Sequence, residues 1–482
     1  MHDLLIPFVL VGAVLMLSGL VSGLVRQAPI SVPIIFLGIG FALGEGGLGI
    51  LHVDVHDQAL QVVGVLSLAF VLFLDAVHLR FDEGKQAWRA PMLALGPGTL
   101  LTIAIVAVAA MVILKVPPIE ALLLGSILAS IDPVVLRDVT RDERVPRSIR
   151  QILTTEAGTN DIVVLPAVLI LTTVALGRGG GAEDWLLTLV KLFALGPLAG
   201  LVVGFVSVWL AGQVRQRSTI SREYRAIYGV GAILVAYVAG ELVGGSGFLA
   251  VFAAGAVVVL TDYDLCDCFL EYGEVTAEMT MLLAFVLFGA LLSTLLGTVP
   301  LLPALLFAAV VLLIARPVAI SLVLGRAVMS QQARLFMGWF GPRGLSSLLF
   351  ALLVVSAHVP NAEWLLTITG VVVVASVIAH GVSATPLISL YSRAVAQKVL
   401  PEEREATIEG LFRGEPNQVP RITPETLAQE LASDAPPIVL DVRSSAARTD
   451  ERVPGAERVP PDALPEWIAG HDRDRLVVTY CT

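Results

Sequence analysis

The apolar residues of this chain fall in blocks of about 20, one after another along most of its length. Wound as a helix, a block of that size spans about 30 Å, the hydrocarbon thickness of a bilayer. In hydrocarbon every backbone N–H and C=O must find its partner within the protein, so such a chain is held to membrane helices or to closed barrels. Unbroken apolar blocks, without strand-like alternation, select helices. Thirteen candidate spans follow, near 4–25, 30–50, 59–79, 92–114, 119–139, 148–176, 184–212, 223–243, 246–261, 278–297, 300–325, 333–357 and 364–391. The 482 residues are 56% hydrophobic and only 15% charged, against about 25% charged in soluble domains. The first block has no A-x-A-like cleavage site after it and is expected to be a membrane helix rather than a removed signal peptide.

Loop charge gives an independent test, because cytoplasmic loops carry an excess of Lys and Arg. With the N-terminus outside and loops alternating, the inside loops hold Arg26; Arg80, Lys85 and Arg89; Arg137, Arg141, Arg144, Arg147 and Arg150; Arg215, Arg217, Arg222 and Arg225; and Arg326 and Arg334. The outside loops hold Lys115 and Arg178. A miscounted span in the middle would scramble this alternation, so the count of thirteen and the orientation support each other. One inside loop departs from it: Thr261-Asp-Tyr-Asp-Leu-Cys-Asp-Cys-Phe-Leu-Glu-Tyr-Gly-Glu has five acids and no base. It reads as a solvated acidic turn or as a mouth that concentrates cations. Cys266 and Cys268 make half a metal site at most. Three cysteines are too few for a disulfide framework, and a net charge of −10 argues against nucleic-acid binding. No cofactor is expected.

A charged side chain inside a span is costly and marks a functional position by default. The candidates are Asp75 in span 3, Asp132 in span 5, Glu156 and Asp161 in span 6, Lys191 in span 7, Glu241 near the end of span 8, Arg316 in span 11 and Arg343 in span 12. The competing reading makes these charges buried ion pairs that tie helices together, with Lys191 and Arg316 structural or snorkelling. In span 5, Pro133 follows Asp132 and removes a backbone donor. Irregular backbone at membrane depth is tolerated where it is buried in protein or lines a cavity. Span 12 carries a matching interruption, Phe340-Gly-Pro342-Arg343-Gly344. Broken spans seven apart fit two inverted six-helix halves joined by span 7, the arrangement of a secondary transporter. In span 6, Glu156 and Asn160 share a face, and Asp161 lies about 140° round from Glu156. Asp161 can then face a cavity while Glu156 faces a protein partner such as Arg343. An acid that takes either a cation or a proton must titrate near the operating pH.

Ile131-Asp132-Pro133-Val134, Glu156-x-x-x-Asn160-Asp161 and Gly341-Pro-Arg343-Gly344 followed by Leu-Ser-Ser-Leu, in this order, resemble the monovalent cation/proton antiporter superfamily in its NhaP/NHE-like sodium/proton exchanger branch. The resemblance covers roughly residues 1–395. It implies that Asp161 alternately binds cation and proton, that Asp132 lies near the ion path with Asp75 beside it, that Asn160 fixes the crossover backbone, and that Glu156 pairs with Arg343. It also implies a homodimer in the cytoplasmic (inner) membrane, alternating access, and, from Asn-Asp rather than Asp-Asp, electroneutral exchange. Many relatives carry Thr and Ser where this chain has Ile131 and Ala157. The Ile131 carbonyl replaces part of the lost oxygen and Thr159 offers a hydroxyl. Sodium, lithium and potassium all stay open as the cation.

Beyond residue 395 the chain changes character. Residues 396–430 read as a polar cytoplasmic linker, and 431–482 as a partial α/β segment with strands at Ile438-Val-Leu and Leu476-Val-Val-Thr-Tyr and a helix over Asp462–Ala469. Val439-Leu-Asp441-Val-Arg443, Gly455-Ala456, Val459-Pro460 and Val477-Val-Thr-Tyr-Cys481 resemble a rhodanese-like domain. The anion-cradling loop that follows the Cys in rhodaneses is missing here, so the segment is expected to be truncated and a poor sulfur acceptor. The alternatives to a cation/proton exchanger are a membrane-anchored sulfurtransferase and a channel or non-transporting sensor on the same scaffold. No G-x-S-x-G or H-E-x-x-H occurs, and His380 stands alone near the end of span 13.

Overall fold

The computed structural model describes residues 12–14, 16–17, 19–20, 32–78, 92–142, 144–177, 187–217, 221–261, 263–326, 329–397, 424–432, 436–441, 453–459, 467–468, 470 and 476–480. Span 1 falls largely outside them, as does Cys481; the acidic stretch with Cys266 and Cys268, expected as a turn, has helical backbone from Tyr263, and its side chains are not described before residue 273. The chain divides into two compact units, Met1–Pro416 and Asn417–Thr482, parting inside the segment read as a linker.

In the first unit the described helices are α1 (Val32–Leu43), α2 (Gln58–Val77), α3 (Ala94–Leu114), α4 (Pro118–Ile127), α5 (Pro133–Arg141), α6 (Arg147–Ala175), α7 (Leu187–Arg215), α8 (Arg222–Leu242), α9 (Gly247–Thr261), α10 (Tyr263–Leu295), α11 (Leu301–Val323), α12 (Gln331–Trp339), α13 (Leu345–Ser356) and α14 (Ala362–Gln397). Every expected span from the second to the thirteenth overlaps at least one of them. Among the described residues eight helices are long and apolar enough to cross a membrane, and four apolar helices are shorter. Two of the shorter ones, α4 and α13, belong to the spans that proline interrupts.

Local chemistry sets the ends. The Asp57 carboxylate accepts from the Ala59 N–H and opens α2, and the Ser330 hydroxyl accepts from the Ala333 N–H and opens α12. Pro118 starts α4 where no N–H is needed. Lys115, left-handed at φ 58°, stops α3. Wide π-turns interrupt α3 at Ala94–Gly98 and α11 at Val311–Ala315. Pro97 and Pro317 explain them: each lacks the N–H that would close the preceding turn, and the ladder widens to pass it. Each bulge ends at a residue of the site described below, Thr99 and Arg316.

Helix packing relies on close backbone approach, as expected where lipid removes the hydrophobic drive between helices. Gly200 and Gly204 of α7 lie so near Ala250 and Ala254 of α9 that a Cβ at Gly200 would stand 1.9 Å from the Ala250 carbonyl oxygen. Gly40 of α1 meets the Val286 carbonyl of α10 in the same way. The main apolar core runs through α1, α3, α4, α10, α13 and α14. A second cluster, with Ile131, Leu136, Ile149, Ile152, Phe336 and Phe340, closes around one end of the broken spans.

The second unit is described by α15 (Pro424–Leu431) and a parallel sheet of β1 (Ile438–Asp441), β2 (Glu457–Arg458) and β3 (Val477–Tyr480) in the order β2-β1-β3. The two longer strands stand where the apolar runs placed them. Of the helix expected over 462–469, only residues 467–468 are described, and they are helical.

Candidate functional site

The chain breaks twice at membrane depth, at residues 128–132 between α4 and α5 and at 340–344 between α12 and α13. The breaks meet. The Asp132 N–H donates to the Pro342 carbonyl at 2.9 Å. Asp132 Oδ1 accepts from the Val134 N–H in the first turn of α5 at 2.8 Å, and Oδ2 accepts from the Leu345 N–H at the start of α13 at 2.9 Å. One buried carboxylate therefore caps two helix N-termini, where orphan donors and helix dipoles both favour negative charge. Arg343 does the reverse. Its Nη1 donates to the Ser130 carbonyl at 2.9 Å, placing a cation where α4 ends.

This geometry explains the glycines of Gly341-Pro-Arg-Gly344. A Cβ at Gly344 would stand 1.8 Å from Asp132 Oδ2, and one at Gly341 2.1 Å from the Arg316 side chain. Any larger residue would push the caps apart.

Glu156 corrects one expectation. Its carboxylate pairs with Arg316 of α11, Oε1 to Nη1 at 2.8 Å and Oε2 to Nη2 at 2.9 Å, not with Arg343. Both partners are almost fully buried. Arg316 is thus no snorkelling residue, and its Nε also donates to the Met337 carbonyl. The physical reason is directional. Arg316 follows the π-turn of α11 and presents both Nη donors as a fork that matches a carboxylate, whereas the Arg343 guanidinium is taken up at the break by the Ser130 carbonyl. Among the described residues Arg343 makes no ion pair.

Asp161 is 3% exposed and also has no ion pair among the described residues. It accepts a hydrogen bond from the Ser130 hydroxyl at 2.7 Å, and Ser346 of α13 lies within reach of the same carboxylate. Asn160 interrupts the ladder of α6, and its amide donates to Thr99 Oγ1 on α3 at 3.0 Å; its own oxygen is buried without a partner. Thr159 donates its hydroxyl to the Thr155 carbonyl, so that proton is committed within the helix. Asp75 of α2 is buried close enough to Asp161 and Asp132 to feel both charges, and it makes no hydrogen bond among the described residues. Ile131 lies in the break beside these groups, but its side chain belongs to the apolar cluster. Glu241 accepts from the Gly247 N–H across the α8–α9 turn, and Lys191 is exposed; neither joins the site.

The structure thus gathers Asp75, Ile131, Asp132, Glu156, Thr159, Asn160, Asp161 and Arg343, and adds Thr99, Ser130, Arg316, Ser346, Ser376 and His380. Ser376 accepts from the Arg343 N–H at 2.7 Å. His380, far from isolated, touches the Ser376 and Trp339 carbonyls with its two ring nitrogens, each at 2.8 Å. Intramembrane cost gives Glu156 the need for a cation, but on sequence alone Arg316 reads as structural or snorkelling and not as its partner. Which cation pairs with it cannot be read across 160 residues. Ser130 carried no signal beyond its place in the broken segment.

The sodium/hydrogen exchanger transmembrane family matches residues 12–390. The chain is 28% identical to the K(+)/H(+) antiporter NhaP of Alkalimonas amylolytica over 79% of its length, and 28% identical to the K(+)/H(+) antiporter NhaP2 of Shewanella oneidensis over 83%. It spans 66% and 70% of those two relatives. The solved structure of the sodium proton antiporter MjNhaP1 from Methanocaldococcus jannaschii superposes with a TM-score of 0.65 at 21% identity, over 81% of this chain and 99% of that one, which shows a shared fold. With the family spanning most of the chain and both of its broken helices, the protein belongs to the sodium/hydrogen exchanger family.

Proposed function

We propose that this chain exchanges a monovalent cation for protons across a membrane, with Asp161 as the carboxylate both ions share. The observation that carries the reading is the unequal partnering of two acids on one helix. Glu156 has a fixed guanidinium; Asp161 has a hydroxyl and, among the described residues, no fixed cation. A buried carboxylate without a resident positive charge has to find one, and a desolvated cation or a proton meets that demand in turn. Since the two compete for one group, each loaded form can pass between inward-facing and outward-facing states while the bare carboxylate stays locked by its charge.

The relatives' names point to potassium and the solved neighbour's to sodium. Sodium, lithium and potassium are therefore the substrates to compare. Asn160 leaves Asp161 as the one exchanging acid of its pair, which favours electroneutral exchange, and Asp75 beside it belongs to the ion path. Asp132, Asn160, Thr159 and the Ile131 carbonyl line or brace the site, while Glu156, Arg316 and Arg343 hold it in shape. The loop charges favour a cytoplasmic C-terminal side for the membrane unit, and the family resemblance favours the inner membrane. The family resemblance adds a homodimer, testable by cross-linking in the membrane.

Purified protein in liposomes loaded with a pH dye tests the reading when Na⁺, Li⁺ and K⁺ are added in turn, with the membrane potential free and then clamped. Exchange predicts a saturable, cation-driven dye response unchanged by the clamp. No response to any of the three cations would overturn it.

A further inference from the structure

We propose that Ser130 is a cation ligand of the exchange site, supplying the hydroxyl oxygen that works beside the Asp161 carboxylate. The proposal deepens the exchange reading and rests on it for the identity of the ligand as a monovalent cation.

Oxygens that could face a cation beside Asp161 are few. A small cation leaving water needs several oxygens in place of its hydration shell, and one carboxylate cannot supply them. Along α6 the choices are poor. Ala157 has no oxygen, and the Thr159 hydroxyl turns back to the Thr155 carbonyl of its own helix rather than to Asp161. The Asn160 amide is anchored to Thr99 through its nitrogen, and its buried, unpartnered oxygen makes no hydrogen bond to the Asp161 carboxylate. In the facing break, Ile131 sends its side chain into the apolar cluster, and both oxygens of Asp132 are taken by helix N-termini. Ser130 is different. Its hydroxyl is 2.7 Å from Asp161 Oδ1 in a position only 1% exposed. Its backbone is fixed separately, since Arg343 holds its carbonyl.

A hydroxyl also suits both loaded states. With Asp161 ionised, the Ser130 O–H donates to the carboxylate, and its two lone pairs stay free to face the cation. With Asp161 protonated, the same oxygen accepts from the carboxylic O–H. Ser346 of α13 is a second hydroxyl that reaches that carboxylate, and the Ser130 bond is the one fixed at 2.7 Å. Placing the ligand on the break rather than on α6 has a consequence for transport. The cation bridges α6 to the crossover, so its arrival is felt directly by the segment whose caps hold α5 and α13.

The test compares the full-length protein with Ser130→Ala and Ser130→Thr in two assays. One is exchange in liposomes, read as apparent KM and maximal rate for Na⁺, Li⁺ and K⁺. The other is the rise in melting temperature that each ion produces in detergent, which reports binding without transport. Losing a ligand to a charged group costs about a tenfold change in affinity. Ser130→Ala is expected to raise the apparent KM of the transported ion about tenfold and to weaken its melting shift to match, with maximal rate largely kept and Ser130→Thr close to wild type. Unchanged KM and melting shift in Ser130→Ala overturn the proposal while exchange stands. A fall in maximal rate at constant KM overturns it too, because that outcome belongs to a positioning role. If wild type binds an ion that Ser130→Ala binds weakly, but no variant exchanges it, Ser130 is confirmed as a ligand and the exchange reading fails by itself.

Discussion

Burying Arg316 and Glu156 costs the hydration of both, and the bidentate fork with the added bond to the Met337 carbonyl offsets that cost only while both partners are present. Removing one leaves a bare charge in the protein. Glu156→Gln and Arg316→Met are each expected to destabilise by about 3 kcal/mol or more. The double variant should recover part of this, so a double-mutant cycle on thermal unfolding in detergent should give strong coupling for Glu156 with Arg316 and weaker coupling for Glu156 with Arg343. Equal coupling in the two cycles would mean that Glu156 is shared. The sequence showed that Glu156 needed a cation and that Asp161 was set apart on the helix, because the intramembrane cost of charge and the helical angle are local facts. It pointed to Arg343, whose glycine-proline surroundings marked it out. The choice of Arg316 depends on the π-turn of α11, a tertiary feature with no local signature beyond Pro317.

Helix breaks are where the elements of this fold acquire chemistry. Asp132 caps α5 and α13 with its two oxygens, a task that an amide cannot perform, since one of its two ends would meet an N–H with an NH₂ group. Asp132→Asn should lower thermal stability by about 1–3 kcal/mol as well as slow exchange; exchange lost at wild-type stability would return Asp132 to the ion path alone. Gly344→Ala is expected to be worse than Asp132→Asn, because its Cβ would overlap the Asp132 carboxylate, and folded yield after size exclusion is the readout. The turn joining α5 to α6 carries a pH dependence of its own. The Arg144 guanidinium, forked onto Asp142 at 2.6–3.1 Å, holds that carboxyl below its usual range. A carboxyl depressed on folding stabilises above its unfolded value of about 4 and loses that contribution as pH falls through the lower folded value. Arg144 is exposed, so the effect is small: Asp142→Asn should shift the melting temperature slightly at pH 7, and the difference should shrink as the pH falls below the usual carboxylate range. The breaks themselves were readable from Pro133 and Pro342. Their mutual contact was not, since 210 residues part Asp132 from Pro342 and a backbone bond of 2.9 Å joins them.

At the scale of the molecule, the apolar blocks and loop charges predicted where helices lie and which way they run, because bilayer thickness and charge asymmetry act on whole segments. The interruption of spans 5 and 12, the helix over span 13 and the two longer strands of the tail stand where proline, glycine and apolar runs put them, while the short strand Glu457–Arg458 was not expected. The orientation makes a prediction of its own. In a chain whose three native cysteines are replaced, an impermeant thiol reagent on intact cells should label Arg178→Cys and spare Lys85→Cys; the opposite pattern would invert the topology. Seven elements meet at the site through α2, α3, the two breaks, α6, α11 and α14, so the assembly is a property of the fold as a whole and not of any one motif. The central claim is that Asp161, buried and without a resident cation, is the group that the transported ion and the proton share. Its most direct test is Asp161→Asn reconstituted into dye-loaded liposomes. That variant is expected to elute and melt like wild type yet give no cation-driven pH change with Na⁺, Li⁺ or K⁺, and exchange retained by it would rule out Asp161 as the shared group.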